Sequence, residues 1–118
     1  MNKIIRLEKF NFHIYLISSS KDGPVKIGFS HHPPSRLKEI QTGNPDKLYI
    51  CGSISVKQKI IVELIEKIIH AHLKENNLHL RGEWFNINVN SALQILELFP
   101  LSRENLFKKV EIKNDKIK

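Results

Sequence analysis

From Phe10 to Ile17 the chain alternates: Phe10, Phe12, Ile14 and Leu16 fall on one side of an extended backbone, Asn11, His13, Tyr15 and Ile17 on the other. A period of two is that of a strand with one face on a core. Ser18 to Pro24 reads as a turn, and a second alternation follows, with Val25, Ile27 and Phe29 together and Lys26, Gly28 and Ser30 opposite. The two runs predict an antiparallel hairpin. Burial of both apolar sets on one side then forces His13, Tyr15, Lys26 and Gly28 to share the other, a polar face. A glycine inside such a strand marks a bulge or the close approach of a backbone or ligand.

Pro33-Pro34 suits a helix start, since proline in the first turn sacrifices no intrahelical donor. The spacing predicts a helix from Pro33 to Gln41 with Leu37 and Ile40 inward, closed by Thr42-Gly43-Asn44-Pro45. A third strand is expected over Leu48 to Ile54, with Tyr49 and Cys51 on one face and Leu48, Ile50 and Gly52 on the other. Ser55-Val56-Lys57-Gln58 matches a capping box, and Ile60, Ile61, Leu64, Ile65, Ile68 and Ile69 follow as one helical stripe. That helix, Val56 to Lys74, would span about 28 Å. Asn88 or Asn90 can cap a last helix, in which Ala92, Leu93, Leu96 and Phe99 pack before Pro100 ends it.

These elements predict an α/β (α+β) fold, a small three-stranded antiparallel sheet flanked by helices. At 118 residues the chain has the size of one domain and buries roughly 65% of its unfolded surface. We expect that domain over residues 1–100 and a basic, mobile tail over 101–118, where Arg103 and five lysines face Glu104, Glu111 and Asp115.

Charge changes the picture more than size does. Nineteen Lys and Arg against 12 Asp and Glu give a formal net charge of +7, a surface that attracts polyanions, nucleic acid foremost. One cysteine, Cys51, excludes an internal disulfide and a cysteine-rich zinc site, and fits an intracellular setting. Neither a signal peptide nor a run of about 20 apolar residues is present, so no membrane association is expected.

Against that charge, several side chains become candidates for chemistry on phosphate. Arg36 lies in the first turn of its helix, where open backbone N–H groups and the helix dipole favour an anion. Lys38 follows on the same helix as a second cationic candidate. Glu66 and His70 stand i, i+4 and meet on one helix face, a carboxylate placed to orient an imidazole. In Gly82-Glu83-Trp84-Phe85 the aromatics read as core and Glu83 projects into the cleft that the glycine opens.

The order of these pieces resembles the GIY-YIG nucleases from about Phe12 to Phe99, most closely the phage- and virus-rich branch whose second half-motif begins with lysine. The residues that carry the resemblance are Tyr15, Val25-Lys26-Ile27-Gly28-Phe29-Ser30, Arg36-Leu37, Gln41 to Pro45, Glu66 with His70, and Gly82 to Phe85. His13 replaces the first glycine of the signature, and Lys26 takes the place of its second tyrosine. The resemblance implies a metal-dependent DNA endonuclease in which Tyr15 acts on the attacking water as base or orienting group, Arg36 holds the scissile phosphate, and Glu83 ligates one Mg²⁺ or Mn²⁺. Lys26 would complete the catalytic set and lower the pKa of Tyr15 from its usual value near 10. His13, Gly28, Glu66 and His70 would support it from behind, and Arg36 and Lys38 would contact the nucleic acid. Duplex or branched DNA is the expected partner, with specificity left to the basic tail, a homodimer or another protein. The alternative is a module that binds nucleic acid on the same fold without cutting it.

Overall fold

Strand β1 (Phe12–Ser18) opens the fold in the computed structural model, which describes residues 12–99. It pairs antiparallel with β2 (Val25–Ser30) on one side and with β3 (Tyr49–Val56) on the other. Beyond β2 lie β5 (Trp84–Phe85) and then β4 (His79–Arg81), so the sheet runs β3-β1-β2-β5-β4. It therefore has five strands, where the sequence pattern predicts three. The two extra strands contain three and two residues, too few to establish a period, and β4 is exposed throughout.

Helices cover both faces. Helix α2 (Lys59–Glu75) and helix α3 (Val89–Leu96) pack on the face that carries Ile14, Leu16, Val25, Ile27, Ile54 and Val56, and this is the main core. Helix α1 (Pro33–Gln41) lies on the other face, where Leu37 and Ile40 pack on Tyr15, Ile17 and Leu48. The face expected to be polar is thus partly a second, smaller core, and Tyr15 is only 1% exposed. Alternation sorted its residues correctly but could not show that α1 would cover them.

Helix α2 starts later and sits in a different rotation from the one predicted. Ser55 and Val56 remain in β3, and Gln58 precedes the helix without a side-chain cap, so the capping box does not form. Its buried residues are Val62, Ile65, Ile69 and Leu73, while Ile60, Leu64 and Ile68 are 70%, 53% and 47% exposed. Apolar residues occupy two adjacent stripes, and only the sheet selects between them. In β3 the register shifts opposite Leu16 and Ile17: Leu16 pairs with Gly52 but Ile17 with Ile50. This bulge inserts Cys51, so Gly52 lies opposite Leu16 and not on the face of Ile50, and Ile54 and Val56 stay in the main core. The last helix is capped as expected, with Asn88 Oδ1 accepting from the Ser91 N–H at 2.7 Å, but it ends at Leu96 and Phe99 packs on the core from beyond it. Pro100 and the basic tail lie outside the described residues. Among those described, no helix is long and apolar enough to cross a membrane.

Candidate active site

Gly28 lies directly opposite Tyr15 in the β1–β2 ladder, and the missing side chain is the space that other groups use. A Cβ built there would stand 2.5 Å from Tyr15 Oη and 2.6 Å from Glu83 Oε1. The phenol and the carboxylate therefore converge above this glycine. Close approach, not a bulge, is what Gly28 permits, since the β1–β2 register runs through it without a shift.

Glu83 is placed by the short β5. The β2–β5 ladder pairs Val25 with Phe85 and Lys26 with Trp84, and Ile27 N–H then donates to Glu83 O at 3.0 Å. There the ladder stops, and His70 of α2 lies 2.7 Å through Nε2 from the carbonyl of Ile27. A carbonyl only accepts, so Nε2 carries the proton and donates. This contact ties α2 to β2 beside the site. The side chain of Glu83 turns back over β2, with Lys26 Nζ at 3.3 Å from Oε1. Oε1 is buried and makes no well-formed hydrogen bond.

Glu66 reaches the same place from α2. Its carboxyl is pushed up to about 7, first by burial and then by the negative charge of Glu83, to which its protonated form can hydrogen bond. The pairing of Glu66 with Glu83, and not with His70, separates the structure from the sequence-based expectation. Residues 66 and 83 lie on different elements, and no spacing rule connects them.

Arg36 arrives from the opposite side of the sheet. Its guanidinium hydrogen bonds to the Tyr15 hydroxyl and, through Nη1, to Glu39 Oε1 at 2.7 Å. The open N–H groups expected at this helix start are absent, however. Pro33 and Pro34 have none, and the N–H groups of Ser35 and Arg36 donate to His32 O. Any anion here meets the side chain of Arg36, not a ring of backbone donors. Burial raises the pKa of Tyr15, and the hydrogen bond from Arg36 only partly opposes it. The charge of Lys26 lies beside Glu83 and over the Trp84 ring, whose centroid is 5.7 Å away.

The remaining candidates are less central. His13 Nδ1 lies 3.0 Å from Ser55 Oγ across the β1–β3 pair. Lys38 is exposed on α1, two residues and so about 200° around the helix from Arg36. Among the described residues no three of His, Cys, Asp and Glu gather as a metal-ligand group. Sequence reasoning missed Glu39, whose i, i+3 spacing from Arg36 was available as a signal. It also missed the contact of Trp84 with Lys26, which depends on the β2–β5 register.

The family model of the T5orf172 domain matches residues 12–99, about three quarters of the chain. The chain belongs to the T5orf172 domain family. The matched interval coincides with the described residues, so the T5orf172 domain comprises the whole sheet, its three helices and every candidate above. The T5orf172 domain is phage-associated and related to GIY-YIG-like folds. No curated protein and no solved structure matches this chain.

Proposed function

We propose that this T5orf172 domain is a metal-dependent DNA endonuclease of GIY-YIG type, hydrolysing phosphodiester bonds, with Lys26 in place of the second tyrosine. The observation that carries the proposal is the convergence of Tyr15 Oη and Glu83 Oε1 over Gly28, with Arg36 on the phenol and Glu66 beside the carboxylate. Two neighbouring carboxylates, Glu66 and Glu83, the latter with a buried oxygen that faces Lys26 Nζ at 3.3 Å, fit a hard divalent cation that keeps several waters, as Mg²⁺ or Mn²⁺ does. Glu83 and Glu66 would hold it. Bound there, the cation supplies Lewis-acid stabilisation of charge on the phosphate and the leaving oxygen.

The side chains divide the remaining work. Arg36 offers a planar fork of donors to the non-bridging oxygens. Because it also donates to Tyr15 Oη, the phenolic proton is left to point elsewhere, and the raised pKa keeps that proton in place at neutral pH. Tyr15 thus orients the attacking water and does not deprotonate it. Lys26 balances the paired carboxylates when the cation is away.

Pure protein incubated with supercoiled, linear and branched DNA tests the proposal, in Mg²⁺, Mn²⁺ or chelator. Cleavage should require metal and fall at least ~100-fold in Arg36→Ala and in Glu83→Ala. Activity that survives both substitutions would sink this assignment. A non-catalytic binding module is the second reading, favoured by one feature: Lys26 already occupies a charge partner's place at Glu83. Salt-dependent DNA binding without turnover in any metal would select it.

A further inference from the structure

Between the α1–β3 connection and the β4–β5 hairpin lies a cavity of about 260 Å³, which the hydrolytic mechanism leaves unused. Leu48, 3% exposed, is its most buried lining residue. Trp84 and Leu80 give it apolar walls, and Asn44, Asp46 and Arg81 contribute polar groups. Asn44 Oδ1 already accepts from the Asp46 N–H at 2.9 Å, which leaves the Asn44 amide hydrogens to donate. Neither the Asp46 carboxylate nor the Arg81 guanidinium is in a salt bridge among the described residues. An apolar slot bounded by donors and an acceptor suits a planar heterocycle with polar edges. The volume lies below the roughly 300–1,000 Å³ of most small-molecule sites and matches one ring system.

The cavity shares a wall with the candidate active site. Trp84 directly follows Glu83, its ring centroid is 5.7 Å from Lys26 Nζ, and that nitrogen is 3.3 Å from Glu83 Oε1. A strand whose phosphate sits between Arg36 and Glu83 therefore brings an adjoining base within reach of the slot. A base stacked within a duplex cannot enter it; an unpaired or extruded one can.

We propose that this cavity binds an unpaired nucleobase beside the scissile phosphate, with Trp84 stacking on it. The preferred substrate of the domain is then nucleic acid that carries unpaired bases. This inference rests on the nuclease reading of the neighbouring site but concerns binding, so it is tested without cleavage.

Trp84 is the only tryptophan in the chain, so its fluorescence reports on the wall between the slot and the active site, and an abasic strand separates the two. The full chain is titrated in chelator with oligothymidylate and with an abasic strand of equal length, following Trp84 emission and, separately, the anisotropy of an end-labelled strand. Oligothymidylate should quench Trp84, while the abasic strand binds without quenching. Leu80→Ser, an exposed position, should weaken thymidylate binding about tenfold and leave abasic binding unchanged. Equal quenching by both strands, or thymidylate affinity unmoved by Leu80→Ser, overturns the base site while nucleic-acid binding stands. If neither strand changes the anisotropy, the nucleic-acid reading of the whole face falls with it.

Discussion

A single hydrogen atom at Gly28 decides whether Tyr15 and Glu83 can share one space, because a methyl group there would stand 2.5 Å from Tyr15 Oη. The Tyr15 ring is buried between sheet and α1 and has no room to retreat. Gly28→Ala should therefore cost about 1–3 kcal/mol in chemical denaturation and cut cleavage at least ~100-fold. Full activity in that variant would show that the convergence over Gly28 is not used. The composition of this face was legible in the sequence, since alternation alone places Tyr15, Lys26 and Gly28 together. The pairings across it were not. Arg36 meets Tyr15, and Glu66 meets Glu83, through elements brought together by packing, and the ion pair of Lys26 with Glu83 depends on the β2–β5 register.

At the scale of elements, helix α2 shows how far an apolar pattern reaches. Its sequence holds more apolar residues than one buried stripe needs, so periodicity establishes a helix without fixing its rotation. The sheet takes Val62, Ile65, Ile69 and Leu73, and Leu64 is left 53% exposed. Ile65→Ala is expected to cost about 2–5 kcal/mol, and Leu64→Ala to stay within about 0.5 kcal/mol, both read from urea unfolding. Equal costs would mean that the helix is rotated from the position described. Strand β3 gives the complementary case. Its alternation is correct up to Cys51, and the bulge there reverses which parity faces the core, a change that no local pattern announces.

For the whole molecule, the meeting of two carboxylates links protons, metal and stability. An ordinary glutamate titrates near 4.5, whereas Glu66 in the fold is pushed up to about 7. The folded state thus holds this proton more tightly than the unfolded chain does. The stability it contributes is full below about pH 4.5 and is lost as pH rises through about 7. The metal-free thermal midpoint should fall across that window, and Glu66→Gln should flatten the fall. Mg²⁺ or Mn²⁺ should restore stability above it, by about 2.7 kcal/mol at a hundred times the dissociation constant. A midpoint that ignores both the substitution and the cations would remove Glu66 and Glu83 from any shared metal site. By itself the sequence determined the hairpin and the sorting of its faces, the first helix, the cap of the last one and the basic composition. Each of these follows from local period, local capping or composition. Only the tertiary structure decided the five-stranded sheet, the rotation of α2, the burial of Tyr15 beneath α1 and the meeting of Glu66 with Glu83. Those features depend on register and packing between segments distant in the chain, where short strands and single side chains carry no periodic signal.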